Sequence, residues 1–131
     1  MELIPIGAVE SPLLDRAAAP KQSDEGAPSA LLALEERFAA GLDGLAPGDE
    51  MLVLTWLHEA ARDVLRVHPR DDLERAERGV FTTRSSDRPN PIGLHRVTVL
   101  AVDGPRVQVD ALEAVDGTPI LDLKPVLRTE R

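Results

Sequence analysis

Residues 79–93 read GVFTTRSSDRPNPIG, an apolar start followed by a loop that cannot form regular structure. Val80 to Thr83 is predicted to be a strand, because β-branched and aromatic residues favour a pleated surface. The two prolines of the second half lack backbone donors and have a fixed φ. We therefore expect a stiff loop that holds the guanidinium groups of Arg84 and Arg88, although an ordinary surface turn has a similar composition.

The strands that follow this loop are delimited by turn dipeptides. Leu94 to Val102 is predicted to be a strand, and Asp103-Gly104 is a hairpin signal after which Val107 to Leu112 pairs back. Asp116-Gly117 predicts a second turn. Ile120 to Leu123 is then the last short strand.

The chain before the loop contains further short elements. The residue pattern predicts strands at Leu3–Val9 and Ala30–Leu34, a short helix at Glu35–Leu42, and a buried central strand at Met51–Leu57. Residues 57–65 match a helical face, whereas Asp63 to His68 match a strand, and we favour a turn followed by a strand. Residues 15–29 form a long loop, which in a compact domain is either functional or disordered.

Many short strands separated by Gly and Pro turns indicate an all-β barrel or sandwich. The 131 residues correspond to one domain, 1–131. The chain has no apolar run near the ~20 residues of a membrane span. It also has no signal-peptide pattern, so we expect a cytoplasmic protein without membrane attachment. The absence of cysteine excludes a disulfide framework and a thiol nucleophile.

The charge of the chain is acidic but uneven. The net charge is −8, which argues against a general nucleic-acid binder. Residues 62–96 nevertheless hold eight arginines against six acids, a net of +2, which leaves −10 for the remainder. The three aromatic residues are few for a platform on which bases stack.

Several common kinds of site are absent from the sequence. It contains neither a GxGxxG motif after a strand nor a P-loop, and its serines lack a GxSxG turn. The histidines have no zinc-site spacing, so no metal is expected. His58 lies at the end of a predicted strand and His95 in another, and both are candidates for a general base.

Two motifs carry a resemblance that covers nearly the whole chain. TTRSSDRPNPIGL at residues 82–94 and DGTPILDLKP at residues 116–125 resemble the paired signature of the TsaA-like (TrmO) family. The resemblance implies a mainly β, single-domain mixed β-barrel with one short helix, working as a homodimer. It also implies an S-adenosyl-L-methionine-dependent methyltransferase that acts on N6 of threonylcarbamoyladenosine at position 37 of tRNA.

The resemblance further implies the residues of the site. Carried over position by position, the cofactor contacts are Pro20, Lys21, Gln22, His58, Glu59, Arg84, Leu94, Glu113, Ala114, Val115 and Asp116. Beyond these contacts, we expect Arg88 and Asn90 to bind substrate, or only to brace the loop. Asp116 also belongs to a turn dipeptide that needs no ligand.

The motifs depart from the family pattern at four positions. Ser86 replaces a proline, His95 a serine, Val126 a tyrosine, and Lys21 an arginine. Two alternative functions remain open at this point. One is a methyltransferase that acts on a small molecule, and the other is a non-catalytic protein that binds S-adenosyl-L-methionine.

Overall fold

The computed structural model describes residues 1–15 and 26–130, and these residues form a mainly β structure. The eight strands are β1 (Gly7–Glu10), β2 (Ala30–Leu34), β3 (Glu50–Trp56), β4 (Arg66–Val67), β5 (Arg78–Gly79), β6 (Ile92–Asp103), β7 (Arg106–Val109) and β8 (Pro119–Pro125). Short 3₁₀ helices lie at Glu36–Leu42, Pro69–Asp71, Val80–Thr82 and Arg128–Glu130. In the described part of the chain, no helix is long and apolar enough to span a membrane.

Six strands form one sheet whose order closes on itself. The order is β1-β2-β7-β6-β3-β8, and β8 pairs back with β1, which is the order of a small barrel. β4 and β5 form a separate two-stranded sheet. Every pairing among the described strands is antiparallel, so the expectation of a mixed sheet is wrong. The tight turn between β6 and β7 accounts for the direction of that pair, because two-residue turns join only antiparallel strands.

The core lies inside this closed sheet. Alternate residues of each strand point inward, and in β6 the buried positions begin at Gly93 and continue through His95, Val97 and Val99. The other fully buried side chains are apolar for the most part: Val9, Leu32, Val53, Val107, Val109, Leu112 and Ile120.

The strands expected on either side of the opening motif are confirmed with shifted bounds. β2 has the expected range, whereas β6 begins two residues earlier than expected because Ile92 and Gly93 already pair with β3. β1 starts only at Gly7. β3 lies between β6 and β8, as a central strand should. Only its alternate residues Val53 and Thr55 are buried, because its outer face is not covered.

The expected helix at Glu35–Leu42 forms, but as a 3₁₀ helix over Glu36–Leu42. The ambiguous residues 57–65 form a turn, and β4 follows it. The expected loop of residues 15–29 includes ten positions outside the described residues.

The strand expected at Val80 to Thr83 is wrong. Val80–Thr82 forms a single 3₁₀ turn, with Val80 buried and Phe81 79% exposed. The hydroxyls of Thr82 and Thr83 donate to the carbonyls of Gly79 and Val80, at 2.8 and 3.0 Å. Such local bonds compete with a sheet ladder for the same backbone groups.

One end of the closed sheet brings several strand termini together. β3 ends there, while β6 and β8 begin there, because Trp56 pairs with Ile92 and Thr55 with Ile120. β1 also ends there, since Ala8 pairs with Pro119. The segment 110–118 connects β7 to β8 at this end, and its buried side chains cover the core. We call this end the strand-end site.

Candidate functional site

Two loops meet at the strand-end site, residues 57–62 after β3 and residues 84–91 before β6. Ala61 donates from its backbone to Asp87 Oδ1 at 2.8 Å and accepts from the backbone of Arg88 at 3.1 Å. The backbone of Leu57 donates to the carbonyl of Pro91 at 2.8 Å. These bonds hold the two loops against each other, so the opening motif is a braced loop rather than an isolated turn.

The two residues considered for substrate binding are engaged within these loops. The guanidinium of Arg88 donates to the carbonyls of Val80 and Thr83. The side chain of Asn90 accepts from Arg62 Nη2 at 3.0 Å, and Arg62 also stacks on Trp56 at 5.0 Å. In this structure both residues brace the loop, which is the second of the two roles considered for them.

The polar residues expected to contact the cofactor from these loops are exposed. His58 and Glu59 come one residue after the end of β3 and are exposed to solvent. Arg84 is also exposed, and its guanidinium has no bonded partner among residues 1–15 and 26–130. Three expected contacts, Pro20, Lys21 and Gln22, lie outside the described residues.

A buried polar row lies beneath these loops. Thr55 Oγ1 and His95 Nε2 are hydrogen-bonded at 2.7 Å, and His95 Nδ1 lies 2.5 Å from Glu113 Oε1. Thr55 is fully buried, His95 is 5% exposed, and the Glu113 side chain is 14% exposed. Since a carboxylate only accepts, His95 Nδ1 is the donor to Glu113. We call these three residues the Thr–His–Glu row.

The absence of a side chain at Gly93 makes room for this row. A Cβ atom at Gly93 would collide with Thr55 Oγ1 and would lie 2.6 Å from His95 Nε2 and 3.1 Å from Leu57 Cδ2. The Thr–His–Glu row is therefore packed against the backbone of Gly93, close to the side chain of Leu57.

One atom of the row is not satisfied by the protein. Glu113 Oε2 is buried and has no hydrogen-bond partner among the described residues. Buried acceptors in folded proteins are nearly always paired, so an unpaired one calls for an explanation. A bound molecule with an N–H or O–H group would supply the missing donor.

The remaining expected contacts occupy different positions. Ala114 and Val115 are buried in the core. Asp116 Oδ1 accepts from the backbone of Ser11 at 3.0 Å, which ties the turn of β8 to the segment after β1. Leu94 is 42% exposed and pairs with Leu54 on the outer face of β6, so its side chain points away from that of His95.

The sequence does not identify Thr55 as a site residue and does not link His95 with Glu113. The available signal was a polar residue in the middle of the apolar run Met51–Leu57. A second signal was an imidazole at an inward-facing position of a strand. Among the residues that the structure describes, no group of three or more potential ligands lies close enough to hold a metal ion.

Two relatives of this chain are named for the same cofactor. The chain is 44% identical over 124 residues to an S-adenosyl-L-methionine-binding protein of Archaeoglobus fulgidus, covering 95% of this chain and 88% of that protein. It is 41% identical over 121 residues to a probable S-adenosyl-L-methionine-binding protein of Methanothermobacter thermautotrophicus, covering 92% and 86%.

Solved structures match as well. A crystal structure of TrmO from Pseudomonas aeruginosa superposes with a TM-score of 0.77 at 29% identity, covering 98% of this chain and 55% of that chain. A second crystal structure of TrmO gives 0.78 at 31% identity, covering 98% and 58%. The chain thus spans just over half the length of these TrmO chains. The sequence pattern of the tRNA-methyltransferase O N-terminal domain matches residues 8–129. On these matches, the chain belongs to the tRNA-methyltransferase O N-terminal domain family.

Proposed function

We propose that this chain binds S-adenosyl-L-methionine and transfers its methyl group to N6 of threonylcarbamoyladenosine at position 37 of tRNA. Family membership supports the methyl transfer, and the names of the two archaeal relatives support the cofactor. The observation that carries the proposal is the buried, unpaired Oε2 of Glu113 at the strand-end site. An acceptor of this kind is satisfied when a ligand brings a donor to it.

The side chains of the strand-end site fit the chemistry of this cofactor, which carries a carboxylate, an ammonium group and ribose hydroxyls. Arg84 can bind a carboxylate through two parallel hydrogen bonds. Glu113 Oε2 can accept from the ammonium group or from a hydroxyl. Contacts from His58 and Glu59, and from Lys21 and its two neighbours, remain predictions.

The chain's own contribution to the reaction is positioning. The bound cofactor supplies a methyl group on a positively charged sulfur, which an attacking nitrogen has to approach in line. Holding the two reactants in this geometry accounts for much of the rate of such a reaction. Arg88 braces the loop that carries Arg84. The backbone at Arg84 therefore needs little further ordering when its guanidinium binds the cofactor.

The geometry favours His58 over His95 as the group that accepts the N6 proton. Both ring nitrogens of His95 are already hydrogen-bonded, and the ring is buried. His58 is exposed at the end of β3, within the two loops. A general base has to reach the proton that it removes, which only the exposed ring can do here.

Isothermal titration calorimetry with S-adenosyl-L-methionine and S-adenosylhomocysteine tests the cofactor site. We expect binding that Arg84→Ala weakens about tenfold or more, equivalent to about 1.4 kcal/mol. Arg78→Ala is the matched control, because Arg78 is an exposed arginine of β5 outside the two loops. If the folded wild-type protein binds neither compound, the methyltransferase proposal is wrong.

Binding of the tRNA acceptor needs a separate test. Most arginines of residues 62–96 already contact other groups of the chain, which leaves few of them to bind tRNA phosphates. The described contacts are Arg62 with Asn90, Arg66 with Glu77, Arg75 with Asp72, Arg88 with two carbonyls, and Arg96 with Glu50. Affinity for tRNA that carries threonylcarbamoyladenosine at position 37, without the added methyl group, should therefore be modest and should fall steeply as salt rises. Mass spectrometry of the digested nucleosides would detect the added methyl group.

The engagement of most arginines of residues 62–96 favours a second candidate function. In that case the protein binds S-adenosyl-L-methionine without methylating RNA. The net charge of −8 repels phosphates, and the engaged arginines offer few free cations. Cofactor binding without methylation of tRNA would favour this candidate. Methylation in RNA-free small-molecule extracts would identify a small acceptor instead.

We further propose that the protein is cytoplasmic and forms a homodimer through the outer face of β3 and β6. Ile92 and Leu94 are each 42% exposed on this face, next to the half-buried Trp56. Sedimentation equilibrium should give a dimer for the wild type and a monomer for Leu94→Asp. Leu73→Asp, at an exposed leucine between β4 and β5, is the control that should remain dimeric.

A further inference from the structure

We propose that Thr55 and His95 are positioning residues that hold Glu113 so that its free Oε2 accepts a hydrogen bond from the bound cofactor. The inference rests on the proposed cofactor binding. It goes beyond that proposal by giving a role to two residues that the resemblance does not include.

The geometry of His95 assigns it this role rather than a direct one. Its Nδ1 donates to Glu113 and its Nε2 is bonded to Thr55, so neither ring nitrogen is open to a ligand. The ring N–H at Nδ1 donates to the carboxylate of Glu113, with Nδ1 2.5 Å from Oε1. Through this bond the orientation of the imidazole fixes the orientation of the carboxylate.

Thr55 completes the arrangement from the other side. Its side chain is fully buried in the middle of β3, and its Oγ1 lies 2.7 Å from His95 Nε2. Gly93 leaves the space in which the two side chains meet, since a Cβ atom there would collide with both. The ring is therefore held at both nitrogens and cannot turn without breaking a buried hydrogen bond.

The unpaired Oε2 of Glu113 is the atom of the row that can bind a ligand. A buried polar atom without a partner is unfavourable for the folded protein. His95, itself bonded to Thr55, nevertheless holds Glu113 by its other oxygen while Oε2 stays open. A ligand that donates to Oε2 would remove this penalty, so the free energy stored in the unpaired group would appear as affinity. Both the ammonium group and the ribose hydroxyls of the cofactor offer such a donor.

The test compares the affinity of S-adenosylhomocysteine for four variants with that for the wild type. We expect Glu113→Gln and His95→Leu each to weaken binding about tenfold or more. The double variant should bind no more weakly than Glu113→Gln alone, because His95 acts only through Glu113. His95→Gln should recover part of the affinity, since its amide can still donate to the carboxylate.

The control variant is His68→Leu. His68 Nδ1 is hydrogen-bonded to the backbone carbonyl of Arg75 at 2.9 Å, and this histidine lies outside the strand-end site. It should bind S-adenosylhomocysteine as the wild type does. Circular dichroism establishes that each variant is folded. If His95→Leu does not fold, Thr55→Val decides the matter, since it keeps the volume of the side chain while removing the bond to His95.

A second ligand distinguishes the two possible donors. 5′-Methylthioadenosine has the ribose but lacks the amino-acid part of the cofactor. If Glu113 meets the ammonium group, Glu113→Gln leaves the affinity for this compound unchanged; if it meets a hydroxyl, both affinities fall. Either result supports the inference.

The outcomes separate this inference from the proposed function. If the wild type binds and folded His95→Leu binds equally well, the positioning role alone is overturned. The same holds for Thr55→Val if His95→Leu does not fold. Losses that simply add in the double variant would also overturn the positioning role alone. A folded wild type that binds neither compound would overturn the positioning role together with the proposed function.

Discussion

At the scale of the residue, Gly93 joins the opening motif to the buried polar row. It is buried at the start of β6, and the two side chains nearest to it are those of Thr55 and His95. Its φ does not lie in the left-handed region, so backbone freedom is not the reason for glycine here. The reason is space, because any side chain would occupy the position where the hydroxyl and the ring meet.

Gly93→Ala should therefore lower the free energy of unfolding by about 2 kcal/mol or more, as expected when a methyl group is forced into a packed interior. Urea denaturation measures the change. The control is Gly41→Ala, which has no neighbouring atom within 4 Å and should be neutral or stabilising by up to about 1 kcal/mol. Equal stability of the two variants would show that the space under Gly93 is not filled as described.

The residues of the row illustrate what a single sequence can reveal. The inward position of His95 follows from the alternation of β6, which the sequence contains. Its partners do not follow, because Thr55 is 40 positions away and Glu113 is 18 positions away. Their meeting depends on the register between β3 and β6 and on the path of the segment 110–118, which no local pattern encodes.

At the scale of the element, the loop between β5 and β6 depends on the half-buried guanidinium of Arg88. This group donates to the carbonyls of Val80 and Thr83, which the 3₁₀ turn leaves without strand partners. The sequence predicts an irregular segment at residues 84–91, which the structure shows, because proline restricts its backbone. It wrongly indicated a strand at Val80 to Thr83, because the threonine hydroxyls satisfy the backbone locally.

Arg88→Met should loosen this loop and expose the bond after Arg84 to trypsin. Losing a hydrogen bond from a charged group costs about 1.5 kcal/mol, which would raise the population of the open loop about tenfold. Limited proteolysis followed by mass spectrometry measures the rate of cleavage after Arg84. Arg78→Met, at an exposed arginine outside the two loops, should leave that rate unchanged, and equal rates in both variants would contradict the bracing role.

At the scale of the whole molecule, the closed sheet has one short seam. β1 and β8 pair at only two positions, Gly7 with Ile120 and Ala8 with Pro119, whereas β3 and β6 pair at seven. The β class was predictable from turn dipeptides and short apolar runs. The closure was not, because it depends on pairing between strands more than 100 positions apart.

Native-state hydrogen exchange should locate this seam. The amides of Ile6 and Val9, which donate to the carbonyls of Ile120 and Thr118, should be protected about tenfold less than the amides of β3 that pair with β6. Local opening of the short pairing is the physical cause. Uniform protection of both regions would mean that the sheet opens only by global unfolding.

The position of β8 between β1 and β3 has a consequence for how the molecule is made. β8 is the last of the described strands along the chain, yet it covers the backbone groups of strands that begin at residues 7 and 50. Until residues 119–125 leave the ribosome, both of those strands present unpaired N–H and C=O groups to other chains. Such open edges recruit neighbours into aggregates. Nascent or prematurely terminated chains should therefore be the aggregation-prone form, and completion of β8 protects the solubility of the finished protein.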